Sequence, residues 1–206
     1  MSYKFGQTTV SAKEFNRVKQ ITDISWLILD NIVVADPVDS EDDQRYIIGY
    51  KTPDAIIPLY VKTPKNVFSN GVTQYKAKSP WTMGFDVGDH DEWVAQYRKI
   101  WARVEEQIFR SLAKSPLNKD KYLNPKLKQY NERITTNFHK RPIPYAQYCE
   151  ATGVIKIASV YVKDGKLAYP QVYVEECKYR NMQTIYSDAM LSDDDDYDMI
   201  DQSLYN

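Results

Sequence analysis

Two periods of apolar residues divide the chain, and the period changes near residue 89 and again near residue 154. Before residue 89 the pattern is that of strands. Trp26-Leu27-Ile28-Leu29 and Ile32-Val33-Val34 make a β-prone run ending at Asp36-Pro37, where proline lacks a ladder donor, and they predict one buried strand. A charged loop at 39–44 leads to a second strand, Tyr46-Ile47-Ile48-Gly49-Tyr50. Residues 56–61 predict a third, in which Pro58 points to an edge position or a bulge. A short strand is expected at 72–75. At 81–87 large apolar and smaller residues alternate with period two, as in a half-buried strand. Residues 1–25 have no clear period, and Phe15, Val18 and Ile21 fit either a short helical face or a first strand.

From 89 to 113 the period becomes helical. Trp93, Tyr97, Ile100, Trp101, Val104, Ile108 and Leu112 fall on one stripe, Asp89 with Glu92 resembles a capping pair, and Pro116 marks the end. Residues four apart share a helix face, so Trp93, Tyr97 and Trp101 are assigned to the core. Residues 117–148 form a basic, proline- and tyrosine-bearing excursion in which Leu123, Leu127, Tyr130 and Ile134 permit a short helix. Strands resume at 154–162 and 167–176, joined across Asp164-Gly165, a hairpin signal because both turn positions need positive φ. No internal repeat is present. The expectation is a mainly β, α+β chain: a globular domain over 1–186 and an unstructured tail over 187–206.

Charge adds to this picture. The net charge of −1 conceals a division, because residues 187–206 hold seven aspartates and no basic residue, leaving 27 basic against 21 acidic side chains in the body, about +6. Such a division suggests a polyanion-binding surface with a built-in competitor; a purely solubilising tail is the alternative. No apolar run approaches the roughly 20 residues of a membrane helix, and no membrane partner is expected. The first residues lack the basic-then-apolar order of a signal peptide, and two cysteines, Cys149 and Cys177, make no disulfide framework. An intracellular, reducing compartment is expected.

Catalytic signatures are weak. His90 and His139 have no metal-ligand spacing, Cys149 lacks the surroundings of an activated thiol, and the seven glycines stand singly, without a phosphate loop. Asp193-Asp194-Asp195-Asp196 lacks the glycine turn and terminal glutamate of a calcium loop. No catalytic residue, metal or cofactor is expected. The informative feature is 17 tyrosines interleaved with basic residues. One stretch holds Lys51, Tyr60, Lys62, Lys65, Phe68, Tyr75, Lys76 and Lys78. The other holds Lys121, Tyr122, Lys126, Lys128, Tyr130, Arg133, Lys140, Arg141 and Tyr145. Holding a single strand without reading its sequence needs cations along phosphates and flat rings under bases, each stacked base contributing about 1–3 kcal/mol.

Leu59-Tyr60-Val61-Lys62-Thr63-Pro64, residues 68–72, the 81–87 strand feeding the helix, Tyr169-Pro170-Gln171-Val172-Tyr173-Val174 and the tail from Asp193 carry a resemblance across about two-thirds of the chain. In these features the sequence resembles the single-stranded DNA-binding proteins of phages and large DNA viruses. The resemblance implies an OB-like small β-barrel with one long inserted α-helix and a closing hairpin, acting in DNA replication or recombination, and located in host cytoplasm or nucleus if viral. It also implies that the tail, with Asp193, Asp194, Asp195, Asp196, Asp198 and Tyr205, occupies the cleft when DNA is absent and docks replication or recombination proteins when DNA is bound. The chain departs from that pattern in ending on Asn206 rather than an aromatic residue. The alternatives are single-stranded RNA binding and a viral structural or assembly protein forming homo-oligomers.

Overall fold

The computed structural model describes residues 10–16, 18–37, 44–117, 121–139 and 142–182. Among them the chain begins with β1 (Ile21–Thr22), β2 (Ile32–Val34), β3 (Gln44–Lys51), β4 (Ile56–Lys62), β5 (Val67–Ser69) and β6 (Val72–Thr73). Next come β7 (Thr82–Met83), β8 (Phe85–Asp86) and the helix α1 (Asp91–Ile108). Five two-residue strands follow: β9 (Tyr122–Leu123), β10 (Lys126–Leu127), β11 (Gln129–Tyr130), β12 (Arg133–Ile134) and β13 (Asn137–Phe138). The chain then enters β14 (Cys149–Lys163) and β15 (Leu167–Asn181).

These last two are the spine of the molecule. Asp164 and Gly165 adopt φ of 51° and 60°, the left-handed conformation their turn requires. The two strands pair antiparallel from Lys163↔Leu167 to Cys149↔Asn181, with register shifts between Val154 and Ile155 and between Ile157 and Ser159. Such irregularities bend a strand and increase its twist. The bend lets one edge of β14 meet three partners in turn: β5 at residues 149–151, β4 at 154–157 and β3 at 159–162. Pro58 is the last β4 residue paired with β3, and β4 then crosses to β14, so this strand is interior rather than an edge.

Eleven strands make one sheet in the order β1-β4-β3-β14-β15-β10-β7-β6, with β2, β5 and β13 attached to β3, β14 and β15. The fold is mainly β with a single α-helix among the described residues. The expected small barrel is not closed there: β1 and β6, the ends of the sheet, are two residues each and do not pair with one another.

The inner face of the sheet carries Val61, Ile155, Ile157, Val160, Val174 and Cys177, all at most 1% exposed, and joins Tyr97, Ile100, Trp101 and Val104 of α1 in one core. The predicted core aromatics stack there. Trp93 and Tyr97 lie 4.9 Å apart, centroid to centroid, at 15°, and Trp101 stands edge-on to Tyr97. Gln107 of α1 extends a ladder that has no next strand among the described residues: its amide donates to the Ile32 carbonyl at 2.8 Å and accepts from the Val34 N–H at 3.0 Å, covering the edge of β2.

Four expectations are corrected. Residues 26–29 are not a strand: 3₁₀ turns occupy Ile24–Trp26 and Leu29–Asn31, Asp23 caps the first through the Ser25 N–H, and Trp26 is 80% exposed. The helix starts after His90, which makes no side-chain cap, and stops at Phe109 (φ 53°), well before Pro116. The Arg110 N–H then bonds the Glu105 carbonyl and the Leu112 N–H the Glu105 carboxylate, drawing the chain off the axis. The 81–87 strand breaks in two at Gly84, where a Cβ would overlap the Tyr122 ring. The excursion holds short strands instead of a helix, because β10 and β13 add parallel to β15.

Candidate functional site

Residues opposite one another in a ladder project to the same face, so the registers of the sheet reveal which side chains form a surface. Away from the core, Tyr60 of β4 stands opposite Lys156 of β14, Lys156 opposite Tyr173 of β15, Tyr173 opposite Lys126 of β10, and Lys126 opposite Thr82 of β7. The result is an unbroken Tyr-Lys-Tyr-Lys row across four strands spaced about 4.8 Å apart.

Parallel rows extend the same face. Toward one end lie Lys62–Val154–Glu176, then Thr152–Lys178, then Phe68–Glu150–Arg180. Toward the other lie Ile47–Ser159–Gln171 and Arg45–Tyr161–Tyr169. Glu150 and Tyr161 are eleven positions apart on β14, a track of about 35 Å at strand rise. At its far end the Phe68 ring stacks on Tyr148 at 5.3 Å, and both are exposed.

Cations dominate this face, and burial works against two of them. The ammonium groups of Lys19 and Lys156 each lie 5.7 Å from the Tyr60 ring centroid. Burial lowers the Lys156 pKa, Lys128 lowers it further, and Glu175 opposes the shift. Burial likewise lowers the Lys126 pKa, reinforced by Arg45. Two of the carboxylates there are engaged: Glu175 pairs with Lys128 at 3.0 Å, and Glu176 pairs with Lys19 and approaches His139 at 3.6 Å. The bond from Lys19 holds the Glu176 carboxyl below its usual range.

The structure sorts the sequence-predicted residues. Tyr60, Lys62, Phe68, Lys126 and Lys128 lie on the track. Tyr60 is 8% exposed with two ammonium groups against its ring, so it organises cations rather than offering an open platform. Lys51 shares the face but lies at the far end of β3, beyond Phe15, whose ring fills the space over Gly49. Lys65 is exposed in the loop after β4. Tyr75, Lys76 and Lys78 form an exposed turn, with the Lys76 ammonium 5.3 Å from the Tyr75 ring. Tyr145 packs edge-on against Trp81 at 5.4 Å near that turn. Tyr130 and Arg133 face each other on the separate β11–β12 ribbon.

Two predicted site residues also tie the fold together. Lys121 pairs with Asp91 and donates to the Gly88 carbonyl, tying the excursion to the start of α1. Tyr122 accepts the Asn70 N–H at 3.3 Å through its hydroxyl. Lys140, Arg141 and the tail residues Asp193, Asp194, Asp195, Asp196, Asp198 and Tyr205 lie outside the described residues. Sequence reading missed Arg45, Lys156, Tyr161, Tyr169, Tyr173, Lys178 and Arg180, which share a face only through register. The alternation within 154–162 and 167–176 was the available signal.

Both cysteines are buried, and burial raises the thiol pKa of each, the reverse of nucleophile activation. Among the described residues no group of three or more His, Cys, Asp or Glu is placed to hold a metal ion, and no helix is long and apolar enough to cross a membrane. Burial also raises the phenols of Tyr60, Tyr97 and Tyr122 above the ordinary 10.0. The unfolded chain ionises at its ordinary value while the folded chain resists, so stability present below pH 10 is lost above it. Thermal unfolding followed by circular dichroism is therefore expected to show Tm falling above about pH 10, less steeply in Tyr97→Phe.

Comparison with protein-family models finds no match to the chain, and comparison with curated protein sequences finds none either.

Proposed function

We propose that this protein is a non-enzymatic binder of single-stranded nucleic acid, holding the strand along the outer face of β14 and β15 without reading its sequence. The Tyr60–Lys156–Tyr173–Lys126 row carries the reading, because it alternates cations and rings at strand spacing on one continuous face. A strand laid along the track would give its phosphates to Lys62, Lys156, Lys178 and Arg180 and its bases to Tyr173, Tyr161 and the Phe68–Tyr148 pair. Burial lowers the Lys126 and Lys156 pKa values, and a polyanion would offset that cost. Single-stranded DNA in replication or recombination is the proposed substrate. An OB-like architecture is part of the proposal, supported by the bent β14 exchanging β5, β4 and β3 along one edge.

A fluorescent single-stranded oligomer titrated beside its duplex, at two salt concentrations, tests the reading. Single strands should bind more tightly, with affinity falling steeply as salt rises, because counterion release sets the slope. Equal affinity for duplex, or an affinity indifferent to salt, would overturn it. Matched DNA and RNA oligomers in competition assign the sugar preference.

The acidic segment from Ser187 is proposed as an intramolecular competitor for the track and a docking element for replication or recombination proteins. Its seven aspartates against a body of about +6 support this. Deleting residues 187–206 is expected to tighten single-strand binding several-fold at low salt and to do less at high salt. Unchanged or weaker binding rejects the competition.

A further inference from the structure

Beside the track, the segment after α1 and the loop before β10 enclose a cleft of about 740 Å³ against β14 and β15. Its walls include Lys114, Tyr122, Lys126, Tyr161, Tyr169 and Gln171. This volume lies within the range of small-molecule sites, roughly 300–1,000 Å³. Three features give it a definite chemistry. Among the described residues no Asp or Glu lines it, whereas two lysines do. Lys126 is half-buried, forms no ion pair among the described residues, and has the Gln171 side-chain carbonyl as its bonded acceptor at 2.6 Å. Tyr161 and Tyr169 stand directly opposite one another in register, on the wall shared with the track, with Arg45 next in that row.

A half-buried ammonium without a counter-anion is costly, and the cost falls when an anion enters. The lowered Lys126 pKa, caused by burial and then by Arg45, is in keeping with that. A bare anion would use the lysines but leave the tyrosine wall idle, whereas a planar base beside the phosphate would use both.

We infer that this cleft is a nucleotide pocket, taking a phosphate at Lys126 and Lys114 and a base along Tyr161, Tyr169 and Gln171. It rests on the strand-binding reading and deepens it: one nucleotide is held in a cleft at the edge of a track that otherwise binds evenly along its length. The strand would thereby acquire a fixed register on the protein.

The test uses the full chain and dAMP followed by amide NMR, with inorganic phosphate as the second probe. Saturable shifts at Lys126, Tyr169 and Gln171 are expected, with dAMP binding at least tenfold more tightly than phosphate. Lys126→Met should weaken dAMP at least tenfold. Lys114→Glu, an exposed change that does not disturb packing, should weaken it several-fold, while Lys99→Ala on α1, outside both the cleft and the track, leaves it unchanged. Displacement of dAMP by a 5′-phosphorylated oligomer assigns the pocket to a nucleotide of the strand. A pocket filled by dAMP but indifferent to oligomers takes free nucleotides. Equal affinity for phosphate and dAMP overturns the base contact. Oligomer binding that is intact without any dAMP shift in the cleft overturns the pocket alone, whereas an unmodified chain that binds no oligomer removes the strand reading beneath it.

Discussion

A chain carrying both Lys62→Ala and Lys156→Met is expected to bind a single-stranded oligonucleotide about 100-fold more weakly, as the loss of two charge-assisted contacts at about 1.5 kcal/mol each implies. The slope of log affinity against log salt should become shallower by about 1.4, from a slope of roughly 0.7 per phosphate neutralised on a single strand. Lys62 and Lys156 stand in adjacent rows of the same face, one exposed and the other half-buried. Methionine matches the length of the Lys156 aliphatic stem and removes only the ammonium beside Tyr60. Glu175 remains paired with Lys128, so no carboxylate is orphaned by the change. Fold stability should therefore change little. Lys99→Ala on α1, an exposed lysine outside the sheet, controls for net charge and should leave affinity within twofold. Fluorescence anisotropy at three salt concentrations measures all of this. An equal loss in the Lys99 variant would mean that overall charge, rather than this face, holds the strand.

Register explains what the sequence made legible and what it did not. The Asp164-Gly165 turn, the alternation on either side of it and the helical stripe from Trp93 to Ile108 are local patterns, and each appears where local physics puts it. The binding face is not local. Lys156 and Tyr173 become neighbours through the hairpin, but Tyr60 and Lys126 join them only because β14 bends to reach β4 and β10 adds beside β15. Two register shifts within the hairpin decide which residues point outward, and a single strand's alternation does not reveal them. Lysine and tyrosine are dense in 117–148, but density along the chain does not make one surface: Lys121 is drawn to Asp91, 30 residues away, and Tyr122 to Asn70. Strands of two residues have no period to detect, so the excursion looked weakly helical. Trp26 looked buried by hydropathy and is exposed because two consecutive 3₁₀ turns rotate it outward.

The second large effect separates core aromatics from binding aromatics. Tyr97→Ala is expected to destabilise the fold by about 3–5 kcal/mol, the range for removing a large aromatic side chain from a packed interior. Tyr97 is fully buried, its ring stacked on Trp93 at 4.9 Å and met edge-on by Trp101 at 6.2 Å, so its loss leaves a void between two indoles that the rigid helix cannot close. At roughly 2–4 °C per kcal/mol for a chain of this size, Tm should fall by on the order of 10 °C in calorimetry. Trp26→Ala supplies the contrast: at 80% exposure its removal should stay within about 0.5 kcal/mol, although the residue is larger. Below its lowered Tm, the Tyr97→Ala protein should bind single strands as tightly as the unmodified chain, because the helix packs on the face of the sheet opposite the track. If instead affinity fell while Tm held, the helix aromatics would belong to the binding surface, and the division of the sheet into a core face and a strand-binding face would be wrong.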